Sequence, residues 1–243
     1  MNQSDTHKGP DAQKIKSMFA EIAGDYDRAN DILSAGIHHL WRKKFVRLSG
    51  VTPNDKVLDC ATGTGDLAIE FKRSMGEGSG QVVATDFCKE MLESAPAKAK
   101  SKNLEIDFSV ADVTKLPFED DSFDISSISF GIRNVDQPQL GIDELARVTR
   151  PGGKVMVLEF GQIAIPLLRE MYGFYSNKIL PALGGLVTGK KEAYSYLQES
   201  SSQFPCRGEF LDLMNKTGRF EKTEFHTLSA GIAYIYIGHV KTQ

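Results

Sequence analysis

Residues Val57 to Asp66 read VLDCATGTGD: a short apolar run, a Gly-x-Gly turn, then an acidic residue opening a helical pattern. Gly63 and Gly65 let the backbone approach a ligand closely, and the first turn of the following helix offers free N–H groups. A second apolar run, QVVATD, ends at Asp86 about 20 residues further on, where a carboxylate suits two ribose hydroxyls. Two cofactor classes satisfy this chemistry. Gly63-Thr64-Gly65-Asp66-Leu67-Ala68 loosely matches the relaxed G-x-G-x-x-A dinucleotide fingerprint. Against that class, Asp66 stands where a pyrophosphate would sit, and anion beside anion is unfavourable. A sulfonium cofactor carries a positive centre and no phosphates. Asp59, Asp66, Asp86 and Asp112 all fall at or just beyond expected strand ends, so S-adenosylmethionine is the better reading. Each aspartate also has a plain structural role open to it. Asp59 can cap the turn, Asp86 the helix starting near Lys89, and Asp112 a turn before Pro117. Ligands of open α/β sheets bind at this edge, which favours the ligand reading for the set.

The elements that must position these residues alternate after Thr52. Strands are expected at Lys56–Ala61, Gln81–Asp86, Leu104–Asp112, Asp124–Phe130 and Lys154–Phe160. Helices are expected at Asp66–Met75, Lys89–Lys102 and Gln139–Thr149, the last stopped by Pro151-Gly152-Gly153. The alternation predicts an α/β fold with a parallel sheet and helices on both faces. Lys222–Leu228 and Ile232–Val240, joined by Ser229-Ala230-Gly231, predict a closing antiparallel hairpin. Such a hairpin is less expected for a dinucleotide-binding half. A single domain is expected over residues 13–243, with an N-terminal helical cap at 13–50 and a helical insertion at 163–205. Residues 1–12 are polar and read as a disordered tail rather than a signal peptide.

Composition sets outer bounds. The chain has 243 residues, 41% hydrophobic and 25% charged, which are globular values that exclude wholesale disorder. A net charge of −3 is a poor match for nucleic acid, so no nucleic-acid partner is expected. The three cysteines, Cys60, Cys88 and Cys206, lie at no metal-ligand spacing, so neither a disulfide framework nor a metal site is expected. Reduced thiols fit a cytoplasmic setting. The most apolar stretch, Ile163 to Val187, carries Arg169, Glu170 and Lys178 and two prolines, and does not read as a membrane span.

The segments VLDCATGTGD, VVATDFCKEML, ADVTKLPFEDDSFD, SISFGIRNV and RVTRPGGKVMVLEF resemble a class I S-adenosylmethionine-dependent methyltransferase. More narrowly, YDRANDILSAGIHHLWR (Tyr26 to Arg42), FGIRNV (Phe130 to Val135) and AYSYLQESSSQFP (Ala193 to Pro205) are similar to signatures of the ubiquinone/menaquinone-biosynthesis C-methyltransferases. The likeness runs from about Met18 onward. It implies a Rossmann-like, mostly parallel sheet with an antiparallel C-terminal hairpin and added helices. It implies S-adenosylmethionine as methyl donor and a polyprenyl quinol as small-molecule substrate, methylated at a ring carbon (demethylmenaquinol to menaquinol being one such step). The family often has Gly-Gly-Thr-Gly-Asp in the loop, whereas Thr62 stands here in place of the first glycine. By the same likeness Thr64 is a cofactor contact, Asp86 the ribose acid, Asp112 and Val113 the adenine pair, and Ser129 a neighbour of the methionine end.

The implied chemistry needs donor and ring carbon in line, together with help for a hydroquinol hydroxyl that must lose or share its proton. Arg133 and Asn134 follow a strand end next to Ser129 and are the leading catalytic candidates, with Tyr26 facing the ring. Arg133 stays protonated, so it is a phenolate stabiliser rather than a base. The structural alternative for Arg133 is a salt bridge to Asp136 or Glu159; for Tyr26, a core aromatic. His38 and His39 have the right intrinsic pKa for a base, but sit beside Trp41-Arg42-Lys43-Lys44 and read better as a solvated helix face. Tyr194, Tyr196 and Gln198 are candidates for the substrate side. Ile163 to Val187, with Gly184-Gly185 as a hinge, is expected to form an apolar lid that touches a membrane surface peripherally. A buried helix pair or a homodimer interface is the alternative. Outside this family, the competing functions are a methyltransferase for another small apolar molecule, a nicotinamide-dependent oxidoreductase, and a fold retained without activity.

Overall fold

The computed structural model describes residues 9–176 and 180–242. Strands β1 (Lys56–Cys60), β2 (Gln81–Asp86), β3 (Asp107–Val110), β4 (Phe123–Ser129), β5 (Thr149–Phe160), β6 (Phe220–Leu228) and β7 (Ala233–Val240) form one sheet in the order β3-β2-β1-β4-β5-β7-β6. The first five are parallel, and β7 runs antiparallel to both β5 and β6. From β1 the chain winds outward to β2 and β3, then returns to β4 on the other side of β1. That reversal opens a crevice at the carboxyl ends of β1 and β4, where such sheets bind ligands.

Both faces of the sheet are buried, which is why its inner strands are continuously apolar. On β5, Val155 and Val157 join one core cluster while Met156 and Leu158 join the other. Helices α3 (Ile37–Ser49) and α4 (Asp66–Met75) cover one face with Trp41, Phe45, Leu67 and Phe71. Helices α7 (Pro138–Val148) and α11 (Gly208–Asn215) cover the other with Ile142, Leu145, Phe210 and Met214. Each such buried side chain contributes about 1.5–3 kcal/mol.

Three local differences from expectation have physical causes. The helix expected over Lys89–Lys102 is two short ones, α5 (Lys89–Leu92) and α6 (Ala95–Lys100). Pro96 sits at the start of α6, where its missing N–H costs nothing, but it cannot continue α5. Pro151-Gly152-Gly153 does not precede β5 but bulges within it: Phe123 pairs with Thr149, whereas Ile125 pairs with Lys154. Helix α11 has no counterpart in the sequence-based expectation.

The remaining helices form a separate layer. They are α1 (Ala12–Ile22), α2 (Tyr26–Ser34), α8 (Pro166–Phe174), α9 (Leu180–Thr188) and α10 (Lys191–Gln203). Ile22 and Ala29 from the N-terminal side bury against Ala193 and Tyr194 of α10, with Phe19, Tyr26, Leu33, Tyr175 and Leu197 around them. Two segments far apart in sequence thus share one small core. Of the expected tail, residues 1–8 lie outside the described residues. Its last part is ordered: Gly9 N–H donates to Asp136 O at 2.7 Å, and Asp11 accepts from Lys14 N–H to cap α1. The expected hinge at Gly184 is a packing position, since a Cβ there would lie 2.4 Å from the Tyr194 ring.

Candidate active site

At the switch point a narrow cleft of about 120 Å³ is lined by Gly63, Asp86, Phe87, Met91, Asp112, Val113, Ser129, Phe130 and Asn134. Helix α1 closes it from above with Ile15, Lys16 and Phe19, a contribution the sequence reading missed. The Asp86 carboxylate is fixed by backbone donors: Oδ2 accepts Gly63 N–H at 2.8 Å and Oδ1 accepts Cys88 N–H at 2.8 Å. Burial raises its pKa, opposed by the Cys88, Gly63 and Phe87 N–H groups. With three backbone N–H groups on about four acceptor positions, the carboxylate keeps capacity for a ligand hydroxyl. Asp112 Oδ1 accepts from Thr114 N–H and Oγ1, both at 2.8 Å, and Oδ2 remains for the cleft. The structural and ligand readings of both aspartates are therefore compatible. Gly63, at φ +59°, has space that a side chain would narrow against Met91 Cε.

Three expected cofactor or loop residues look elsewhere. The Thr64 hydroxyl donates to Asp27 Oδ1 of α2 at 2.6 Å, and Thr64 does not line the cleft. Gly65, at φ +83°, packs against Phe108 and Ala95 rather than a ligand. Asp66 turns away to Arg42 Nη1 at 2.8 Å and Lys98 Nζ at 2.5 Å. Burial opposes ionisation of Asp66, but Arg42 and Lys98 outweigh it and hold the pKa below the usual carboxylate range. Asp59 is also off the cleft. It accepts from Thr62 Oγ1 at 2.6 Å and Ser127 Oγ at 2.9 Å, and burial pushes it up to about 7. Of the four strand-end acids, then, Asp86 and Asp112 reach the cleft, while Asp59 and Asp66 brace the loop. The donors and acceptors present fit an adenosine with a phosphate-free tail: a ribose acid, an adenine edge at Asp112 and Val113, and Lys16 as the one cation among the lining residues.

A second cavity of about 460 Å³ adjoins the first. The cap supplies Met18, Leu33, His38 and Trp41; the insertion supplies Tyr172, Tyr175, Tyr194, Tyr196 and Leu197; the core supplies Phe130, Arg133 and Phe160. Phe19, Tyr26 and Phe130 line both cavities, so a molecule in one can touch a molecule in the other only past these rings. Tyr26 is the first residue of α2; burial raises its hydroxyl pKa, partly offset by a hydrogen bond with Asn30 and by Arg42 and Arg133.

The 3-10 turn Ile132–Asn134 brings Arg133 and Asn134 to this junction. Asn134 Oδ1 accepts from the Tyr196 hydroxyl at 3.1 Å, and its amide donates to Phe130 O at 3.3 Å. Arg133 pairs with Glu159 at 2.7 Å, with both side chains buried, and leaves its Nε without a partner. Asp136, the other partner considered, makes no such pair; the salt bridge and the chamber position coexist. His38 is buried at the chamber wall, its Nδ1 on Ser34 Oγ at 2.5 Å, and burial pushes its pKa down to about 4. His39 is exposed and held by Asp31 at 2.7 Å, so it fits the solvated-face reading, whereas His38 does not. Tyr194 and Tyr196 line the chamber and Gln198 does not.

Known proteins resemble this chain in sequence and in fold. Residues 7–240 match the model of the ubiE/COQ5 methyltransferase family. The chain is 59% identical to the ubiquinone/menaquinone biosynthesis C-methyltransferase UbiE of Bdellovibrio bacteriovorus, over 97% of this chain and 100% of that one. It is 39% identical to the enzyme of the same name from Francisella tularensis subsp. novicida, over 93% of this chain and 91% of that one. Among solved structures, it shares its fold with a S-adenosylmethionine-dependent methyltransferase of Thermotoga maritima (TM-score 0.64, 18% identity, 94% and 100% coverage). A putative methyltransferase of Haloferax volcanii, solved with its Trm112 activator, has the same fold (TM-score 0.65, 16% identity, 92% and 97% coverage).

Proposed function

The chain belongs to the ubiE/COQ5 methyltransferase family, and from that premise we propose that it methylates a ring carbon of a polyprenyl quinol in menaquinone or ubiquinone biosynthesis. The observation that carries the reading is the pair of joined cavities: a cleft at the strand ends that holds Asp86 and Asp112, and an aromatic chamber, sharing Phe19, Tyr26 and Phe130. S-adenosylmethionine, when bound, supplies an electrophilic methyl group on a sulfonium. Asp86 holds the ribose hydroxyls, Asp112 and the Val113 N–H meet the adenine, and Ser129 and Asn134 flank the opposite end of the cleft.

The quinol ring sits among Tyr26, Phe130, Phe160 and Tyr196, with its reactive carbon at the seam. The hydroxyl proton leaves to solvent first; the ring carbon's electron pair then forms the C–C bond as the S–CH3 bond would break to leave S-adenosylhomocysteine, and loss of the ring-carbon proton with return of one proton to the oxygen restores the quinol. Arg133 donates to the ring oxygen and stabilises the phenolate formed when its proton leaves, and Asn134, itself positioned by Tyr196, orients the neighbouring hydroxyl. Holding both reactants in line removes about 7 kcal/mol or more of the barrier in favourable cases. Phe19 and α1 exclude water from the donor side.

The tail leaves toward the insertion, whose Ile165, Leu167, Leu168, Phe174 and Leu183 are exposed. We read this face as an apolar lid lying on a membrane surface rather than as a dimer interface. Among the described residues, no helix is long and apolar enough to cross a membrane. The test is transfer of labelled methyl from S-adenosylmethionine to a demethylmenaquinol and a methoxy-polyprenyl-benzoquinol in parallel. Labelling of either supports the reading and identifies the pathway. Labelling of neither, with S-adenosylhomocysteine still bound, would point instead to another small apolar acceptor.

A further inference from the structure

Arg133 is built into the wall in an unusual way. Its Nη1 donates to Glu159 Oε1 at 2.7 Å and to Phe130 O at 2.7 Å, and its guanidinium lies 5.3 Å from the centre of the Phe160 ring. Glu159 is itself pinned: Oε1 accepts Phe160 N–H at 2.8 Å, and Oε2 faces the backbone N–H of Arg133 at 3.4 Å. One carboxylate, 1% exposed on β5, thus sets both the backbone turn and the side chain of Arg133. The Nε–H of Arg133 is buried and has no hydrogen-bond partner among the described residues.

A buried ion pair is weak evidence for stability, because desolvation offsets most of the attraction. A buried pair that also strands a donor is worse than an apolar wall unless a ligand completes it. Glu159 lines neither cavity, so it does not touch substrate; it touches the residue that does. Its charge also balances that of Arg133 at the chamber wall, which suits an apolar quinol.

We propose that Glu159 is the positioning residue of the methyl transfer: it locks Arg133, whose side chain lines the chamber, so that the guanidinium is held toward the quinol oxygen that carries the phenolate charge. The inference rests on the quinol reading above and adds to it the group that makes Arg133 directional. No proton passes to Glu159, and the proton of the quinol hydroxyl leaves to solvent.

The experiment measures turnover of a reduced quinol, affinity for S-adenosylhomocysteine and melting temperature for wild type, E159Q, R133M and R133M/E159Q. E159Q keeps the size of the side chain and one acceptor oxygen but leaves the buried Arg133 charge uncompensated, so its melting temperature is read beside its kcat; the apolar pair R133M/E159M, which removes both charges, is the folded control. The expected result is kcat for E159Q lowered about tenfold or more, with cofactor-product affinity within about twofold of wild type. In the R133M background, E159Q should cost less than about twofold further, because it acts through Arg133. The rising limb of the kcat–pH profile should move alkaline by about one unit in E159Q, since a misaligned donor no longer lowers the hydroxyl pKa.

A uniform loss at all pH values, or the same loss with and without Arg133, would show a merely structural role and overturn the proposal. So would E159Q turning over at the wild-type rate. Wild-type protein that binds S-adenosylhomocysteine but methylates no quinol would overturn the quinol reading and this inference with it.

Discussion

The cleft and the chamber differ in origin. The cleft is made by strand ends and the turns after them, and its Asp86 carboxylate is held by backbone N–H groups from its own and the neighbouring loop. The chamber is made by side chains from residues 18–42, 130–160 and 172–197, with Ile232 beside them, meeting around Tyr26 and Phe130. A backbone-built site is carried by topology, whereas a side-chain-built site depends on how helices pack. The first suits a cofactor shared by many enzymes; the second can be reshaped for one substrate without disturbing the sheet.

The sharpest way to separate the two is D86A. It removes the ribose acid and the Gly63 tether, and affinity for S-adenosylhomocysteine should fall by about 2–4 kcal/mol, roughly 30- to 1000-fold, measured by calorimetry. Quinol-analogue binding in the chamber should change little.

The loop brace beneath the cleft and the chamber wall also respond oppositely to pH. Asp59 in the core is raised to about 7, so its stabilising contribution is complete below its ordinary value near 3.8 and is lost as pH rises through 7. His38 at the chamber is lowered to about 4, so its contribution is complete above 6.5 and is lost as pH falls through 4. In the wild type the two slopes oppose each other. D59N should make the slope of stability against pH more positive between 4 and 7, and H38Q should make it more negative between 4 and 6.5, each by up to about 1.4 kcal/mol per pH unit. Urea melts across that range check the signs; slopes changing in the same direction would be inconsistent with these burials.

The polar seam that ties the layers is weaker. Asp27 of α2 accepts from Thr64 Oγ1 and from Lys98 Nζ, each at 2.6 Å, on the far side of the glycine loop. D27N should cost about 1 kcal/mol, a few-fold in kcat/KM for the quinol, with faster amide exchange in α2 than in β1. The smallest effect is expected on the outer face. Replacing Leu167 and Leu168 together with Asp should raise KM a few-fold for long-tailed quinols and leave short-tailed ones unchanged, by about 1 kcal/mol. Equal effects on both would remove the lid from the reading.

What was legible in the sequence follows the same division. Strand β2 and helix α4 appear with the expected bounds, and the hairpin closes the sheet as read, because periodicity and glycine turns encode them locally. Asp86, Asp112, Val113 and Ser129 fall on the cleft because strand ends share one edge. The orientation of Thr64 and Asp66 was not legible, since it is decided by Asp27, Arg42 and Lys98 from other elements. Helix α11 is eight residues long, and its Phe210, Leu213 and Met214 are too few to show a period. The closure by α1 was hidden because nothing in Ile15, Lys16 or Phe19 names the partner across the cleft. Arg133 was weighed as either catalytic or salt-bridged; a buried side chain with several N–H groups is able to be both.

The central claim is that donor and acceptor meet past Phe19, Tyr26 and Phe130. A crystal structure of the protein with S-adenosylhomocysteine and a quinol analogue tests it most directly. The expected result is the sulfur at the junction, beside Tyr26 and Phe130, with the analogue's ring in the aromatic chamber and its oxygen on Arg133. A sulfur directed away from that junction, or a ring bound outside the chamber, would contradict it.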